Sequence, residues 1–309
     1  MTSSSGRLPV PAAELDLEHT LNCGQAFRWR RGRDRAWTGV IGDRVYRLGR
    51  ADGASICYRA WPAGDGAGAA LASYLRLEVD LPALQAELRR RDRPVGAAIE
   101  TFPGLRVLRQ PALETLLTFV CSPASNITRI TRSIDALARL YGDPIGPVDG
   151  SSHHRFPTLE RLAATAPGEL MRTTGLGFRG RYLKAVAEAL LARPRGWVDD
   201  LAVADYEAAR RELMALPAIG PKIADCVCLF GLGHDAAVPV DTHVWRLARE
   251  LFPAEIATRT LTPTTYDGVR AAYRARYGDW AGWAQQYLYH ARRVLRDLPM
   301  PSEVSLARA

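Results

Sequence analysis

The sequence predicts an α+β fold: a small N-terminal antiparallel β-sheet domain over residues 1–103, then a mainly α-helical region over residues 104–309 with a helix–hairpin–helix motif at about 205–232. Three observations predict it. Runs of strand-forming residues broken by turn signals occupy the first third. From about Pro111, apolar residues recur at helical spacing. An amphipathic stretch from Asp205 to Leu216 then runs directly into a Pro/Gly turn and a second helix.

Each element has a local cause. The first residues read as disordered, and residues 21–30 bring Gly24, Phe27, Trp29 and arginines together. Residues 37–48 read as a hairpin, two strand-forming runs around a Gly42-Asp43 turn of the type that two-residue hairpins favour. Residues 54–59 supply a third strand, and the Gly- and Ala-rich stretch 62–70 reads as a surface loop. A helix follows near Leu81 to Arg91. Behind Pro111, Leu113, Leu116, Leu117 and Val120 form one helical stripe. Ile127, Ile130, Ile134 and Leu137 form the next, with Ser125 and Asn126 placed to cap it. Pro157 opens a helix carrying Leu159 and Leu162. Gly175 to Tyr182 is a loop leading into a helix through Leu190. The last helix spans roughly Ala281 to Leu295, with a loose tail beyond Pro299.

The 309 residues are 47% hydrophobic and 24% charged, which suits a folded soluble protein built as two domains or one large unit. A net charge of +8 and a pI near 9.5 fit a polyanionic partner, and equally a merely basic protein. Much of the positive charge is Arg, which forks onto phosphates and stacks on bases. Five cysteines, an odd number, and no secretion signal predict reduced thiols in an intracellular protein. No stretch approaches the length of a membrane span. Cys226 and Cys228 are closer than a C-x-x-C pair, and no further cysteine cluster completes a zinc or iron–sulfur set. Neither a metal nor another cofactor is expected.

Residues 216–245 organise the rest. Pro221 suits the first position of a helix, where its missing N–H costs nothing. Lys222 follows, a candidate nucleophile where the helix's positive end and local burial favour a neutral amine, although most lysines are solvated surface charges. Asp241, its candidate electrostatic partner, is equally placed to cap the helix that follows it. Backbone N–H groups at the turn, at Ile219 and Gly220, form a natural seat for a phosphate and would hold a nucleic-acid backbone without reading its sequence. An ordinary helix turn would present the same residues.

Gly220-Pro221-Lys222 with Asp225-Cys226, followed by Ala237-Val238-Pro239-Val240-Asp241-Thr242-His243-Val244-Trp245, resembles the signature of the helix–hairpin–helix, Gly/Pro-rich, aspartate DNA glycosylase superfamily, and within it the 8-oxoguanine DNA glycosylases. Gly24-Gln25-Ala26-Phe27-Arg28-Trp29 resembles that family's N-terminal element. Residues 105–110, 121–129, 175–182 and 282–285 correspond in turn, so the likeness covers nearly the whole chain. It implies a bifunctional DNA repair glycosylase and AP lyase that flips an oxidised purine out of double-stranded DNA. A monomer in a bacterial cytoplasm is expected.

The resemblance also assigns residues. Lys222 would attack the sugar carbon bearing the damaged base and form a Schiff base, and Asp241 would stabilise positive charge on the sugar. Gly24 would read, through its carbonyl, the proton that oxidation adds to guanine's five-membered ring. Cys226 and Tyr289 would sandwich the flipped base, Tyr289 standing where Phe is more usual, and Gln285 would bond its pairing edge. Arg129 and Arg179 would grip the orphaned cytosine, Phe178 would wedge into the stack, and His243 would contact the backbone. Ala124 stands where the family often carries Asn, which puts discrimination for cytosine in doubt. As isolated residues, all of these have bland readings: core, cap or solvated face.

Rivals are a monofunctional alkylated-base glycosylase, which lacks the lysine, and an adenine-mismatch or endonuclease III-like enzyme, whose cluster cysteines are missing here. A non-catalytic helix–hairpin–helix DNA-binding module would explain the charge and the hairpin. It would not explain Lys222, Asp241 and the Gly24 element together.

Overall fold

A computed structural model describes residues 1–256 and 260–295. The tail expected beyond Pro299 lies outside the described residues. Strands β1 (Ser4–Pro9), β2 (Trp29–Arg31), β3 (Trp37–Ile41), β4 (Arg44–Asp52) and β5 (Ser55–Trp61) form one antiparallel sheet in the order β1-β5-β4-β3-β2. The expected hairpin is β3–β4, with Trp37 opposite Leu48 and Val40 opposite Val45, and Gly42 takes the left-handed φ of +59° that its turn requires.

Two expectations fail in this region. The first residues are not disordered: β1 pairs along β5, Ser4 opposite Ala60 and Pro9 opposite Ser55. An edge strand needs only a backbone ladder on one side, so a polar sequence suffices. The stretch 62–70 is not all loop either, because α2 (Ala67–Tyr74) starts within it. Gly66, at φ +76°, turns the chain, and the alanines behind it favour helix more strongly than any other residue. A short helix α1 (Leu17–Leu21), capped by Asp16, was also unforeseen.

The helices that follow are α3 (Leu81–Arg91), α4 (Arg93–Thr101), α5 (Ala112–Val120) and α6 (Ile127–Tyr141). Asn126 caps α6 as expected, accepting from the Arg129 N–H at 2.9 Å. An unforeseen hairpin, β6 (Pro144–Val148) with β7 (Ser151–His154), comes next. Then follow α7 (Leu159–Ala164), α8 (Pro167–Thr173), α9 (Arg179–Leu191), α10 (Trp197–Asp200), α11 (Tyr206–Met214), α12 (Pro221–Val227), α13 (Thr242–Leu251), α14 (Pro263–Tyr277) and α15 (Ala281–Leu295). Helices α11 and α12 flank the hairpin of the predicted motif, where Ala218 rather than a glycine carries the left-handed φ, +58°. Helix α12 continues as a π-helical turn through Leu232. No described helix is long and apolar enough to cross a membrane.

One apolar cluster packs Trp29, Trp37, Tyr46, Leu48 and Ile56 of the sheet against Leu71 and Tyr74 of α2. A larger one fills the helical region and reaches back to Cys23 and Phe27. Between them runs an irregular, buried segment around Arg106. The Arg106 guanidinium donates to the carbonyls of Glu14 at 2.7 Å and Arg76 at 2.6 Å. Buried Gln25 donates to the carbonyls of Thr20 (2.9 Å) and Arg106 (2.8 Å) and accepts from the Leu108 N–H (2.9 Å). These bonds fix the loop that carries Gly24 against the helical region.

Candidate active site

A cleft of about 1570 Å³ opens where the Gly24 loop meets α12, α13 and α15. Its walls bring together Gly24, Gly220, Lys222, Cys226, Asp241, His243, Gln285 and Tyr289, residues spread over most of the sequence. Arg129, Phe178, Arg179 and Ile219 do not line it.

Lys222 is the second residue of α12, behind Pro221, and Gly220 caps that helix with extended backbone and no side-chain bond. The lysine Nζ donates to Ser122 Oγ at 3.1 Å and lies 4.9 Å from the centre of the Phe119 ring. One turn further, Cys226 is 2% exposed. Burial pushes its thiol up to about 12, against the opposing pull of the Lys222 charge, so it stays a neutral, polarisable surface.

Asp241 caps α13: one carboxylate oxygen accepts from the N–H groups of His243 at 2.9 Å and Val244 at 2.8 Å. The cap fixes where the carboxylate sits, on the wall of the cleft. Asp241 and Lys222 face the same space without closing into an ion pair. The Tyr289 ring stands edge-on to His243, centroids 6.3 Å apart. Desolvation, with the Asp241 charge second, pushes the Tyr289 hydroxyl up to about 12. Gln285 is 3% exposed, and its side-chain oxygen is buried without a protein partner. Gly24 holds φ +90°, a conformation that side chains resist.

Phe178, Arg179 and Arg129 lie near one another outside the cleft lining. Phe178 is 45% exposed and stands edge-on to Tyr182 at 5.6 Å. Arg179 is buried, and its guanidinium donates to the carbonyls of Pro123 (2.5 Å), Ala124 (2.6 Å) and Leu176 (3.0 Å). Desolvation, then the Arg129 charge, shift it downward from the usual arginine range. Arg179 thus holds the 123–124 loop, while Arg129 is exposed on α6. Ala124 lines the cleft with φ +48°, a backbone that Asn adopts more readily than Ala. Ile219 is buried, its N–H reaching the Leu216 carbonyl at 3.4 Å.

Ser122, Phe119 and Tyr182 belong to the site but escaped sequence reasoning. Tyr182 had a signal, since it stands four residues after Phe178 at helical spacing. Nothing in sequence spacing joins Ser122 to Lys222.

Residues 7–116 match the 8-oxoguanine DNA glycosylase N-terminal domain, and residues 117–265 match the HhH-GPD superfamily of base excision DNA repair proteins. The chain is 36% identical to the N-glycosylase/DNA lyase OGG1 of Arabidopsis thaliana, over 92% of this chain and 79% of the plant protein. It is 32% identical to the N-glycosylase/DNA lyase of Saccharomyces cerevisiae, over 94% of this chain and 86% of the yeast protein. The Clostridium acetobutylicum 8-oxoguanine glycosylase/lyase, solved with double-stranded DNA bearing cytosine opposite 8-oxoguanine, superposes with a TM-score of 0.81. That match is 25% identical and covers 92% of this chain and 93% of the other.

Proposed function

This chain belongs to the 8-oxoguanine DNA glycosylase family and is a DNA glycosylase with AP lyase activity, and on that premise we propose how its cleft performs the two reactions. The substrate is duplex DNA carrying 8-oxoguanine, whose base must leave the stack to enter the cleft. The observation that carries the residue assignment is that Lys222, Asp241, Cys226, Gln285, Tyr289 and Gly24 line one cavity.

Lys222 attacks the sugar carbon through its amine lone pair as the bond to the base breaks. The carboxylate of Asp241, held by its cap bonds, stabilises the positive charge that develops on the sugar. Ring opening gives a Schiff base between Lys222 and the sugar. Loss of a proton from the neighbouring carbon then expels the 3′ phosphate and cuts the strand. The base lies between Cys226 and Tyr289. Its pairing edge offers N–H donors to the unmatched Gln285 oxygen, and Gly24 turns its carbonyl to the N–H that distinguishes 8-oxoguanine from guanine.

Arg129, with Arg179 behind it, faces the orphaned cytosine, Phe178 fills the stack, and His243 meets a backbone phosphate. At the turn, Gly220 presents its N–H to the backbone, whereas the Ile219 N–H is taken up by the Leu216 carbonyl, which corrects the expectation for Ile219. We assign a monomer on duplex DNA, which light scattering with and without a lesion duplex tests. The expected bacterial cytoplasm gains no support from the plant and yeast relatives.

Borohydride reduction on a duplex with 8-oxoguanine opposite cytosine tests the nucleophile. Wild type forms a covalent adduct and Lys222→Gln forms none. Equal trapping by the two proteins would refute the assignment.

A further inference from the structure

Three residues beyond Lys222 on α12, Asp225 is fully buried and ringed by donors. Its Oδ1 accepts from the Tyr206 hydroxyl at 2.6 Å and from Arg210 Nε at 3.1 Å. Its Oδ2 accepts from the Tyr266 hydroxyl at 2.6 Å and pairs with Arg270 Nε at 3.5 Å. Arg210 and Arg270 both continue to Asp267, and Arg270 also reaches Glu207, so their charges are balanced outward. None of these residues touches the proposed chemistry directly, yet the cluster sits behind the catalytic helix.

One member does more than anchor the carboxylate. The Tyr266 hydroxyl also accepts from the Val240 N–H at 3.2 Å, and Val240 immediately precedes Asp241. Tyr266 itself lies on the cleft wall, 5% exposed. A single hydroxyl, on α14, therefore bonds the helix that carries Lys222 and the segment that carries Asp241.

We propose that Tyr266 is a positioning residue that sets the spacing of Lys222 and Asp241 by bridging Asp225 to the Val240 backbone. The idea rests on the assignment of those two residues as nucleophile and electrostatic partner. Lys222 and Asp241 make no ion pair that would fix their separation, so something else must hold it. Hydrogen bonds do this better than apolar contacts, because the buried carboxylate loses several bonds and the buried N–H its only one if the segments slip. Tyr206 supplies an internal comparison. It donates to the same carboxylate but makes no bond to the Asp241 segment.

The test is single-turnover excision of 8-oxoguanine, with rates normalised to active sites titrated by borohydride trapping. Tyr266→Phe removes only the bridge hydroxyl and slows the rate constant roughly 10- to 100-fold. Tyr206→Phe lowers the melting temperature similarly but leaves the rate constant within about 3-fold of wild type. Asp225→Asn, isosteric at the anchor, presents an amide to Tyr266 and slows excision like Tyr266→Phe. Should Tyr266→Phe not fold, Asp225→Asn against Tyr206→Phe decides the matter alone. Equal rates in Tyr266→Phe and wild type, or equal slowing in both tyrosine variants, overturn the proposal. Trapping by Lys222→Gln would instead overturn the assignment beneath it.

Discussion

Replacing Gly24 with alanine separates the part of the cleft proposed to read the base from the part proposed to cut. Gly24 sits at φ +90°, and a β-carbon resists that region by about 1–2 kcal/mol. The new methyl would lie 3.0 Å from Ile127 Cδ1 and 3.7 Å from Tyr289 Oη. Ile127 meets it with the end of a flexible side chain and yields by a few tenths of an ångström. The methyl then stands beside the ring proposed to stack on the base, on the residue whose carbonyl is proposed to read it.

The expected effect therefore has two parts. Strain costs about 1–2 kcal/mol of stability, a few degrees in Tm. Displacement of the base by about 1 Å costs roughly 100-fold in excision. The assay is single-turnover excision from duplex with 8-oxoguanine opposite cytosine, run beside strand cleavage at a preformed abasic site. The abasic substrate has no base to fit, so its cleavage changes by less than about 3-fold while excision falls. Equal excision by Gly24→Ala and wild type removes Gly24 from the recognition site. Parallel loss in both reactions would place the defect in the fold instead.

Two further predictions follow from the caps and the buried histidine. Asn caps a helix about as well as Asp, so Asp241→Asn should hold stability within about 0.5 kcal/mol. Excision nonetheless falls roughly 100- to 1,000-fold as the charge is lost, and unchanged single-turnover excision would reduce Asp241 to a cap. His290 is 3% exposed, its Nδ1 has no partner, and its Nε2 faces His19 Nδ1 at 3.1 Å. Desolvation first, then the His19 and Arg293 charges, depress it from 6.5 to about 4. The unfolded chain therefore takes up a proton that the folded chain refuses. Stability is full above pH 6.5 and declines by roughly 3 kcal/mol as pH falls toward 4. His290→Gln should flatten that decline in urea melts, and an unaltered slope would exclude His290 as its source.

Legibility in the sequence followed periodicity and capping chemistry. Helices α3, α5, α6, α11 and α15 announced themselves through apolar spacing, or through a cap such as Asn126; that Asp205 caps α11 emerged only in the structure. The strand β1 did not, because its cause is a ladder to β5, residues 55–61, which no local pattern encodes. The same holds in the cleft. Lys222, Asp241 and Gly24 were legible through motifs, each a local signature. Ser122 beneath the Lys222 amine, Tyr266 behind it, and the commitment of Arg179 to three backbone carbonyls are products of distant segments meeting. Composition and period carry no information about such meetings.

How the two parts of the cleft are held explains why one side chain in it is informative. The Gly24 loop is locked by Gln25, whose amide is saturated by Thr20, Arg106 and Leu108. The helix bearing Lys222 is locked by Asp225, saturated by two tyrosines and two arginines. A buried polar group left unmatched costs about 1–3 kcal/mol, so saturation at both anchors makes the frame unique as well as stable. Against that frame, Gln285 is buried in the cleft wall with its oxygen unmatched. A fold that satisfies Gln25 and Asp225 so fully has left that oxygen open in the wall where the flipped base is proposed to sit. Its cost would be recovered by an edge that carries N–H donors into the cleft, as the pairing edge of the flipped purine is proposed to do.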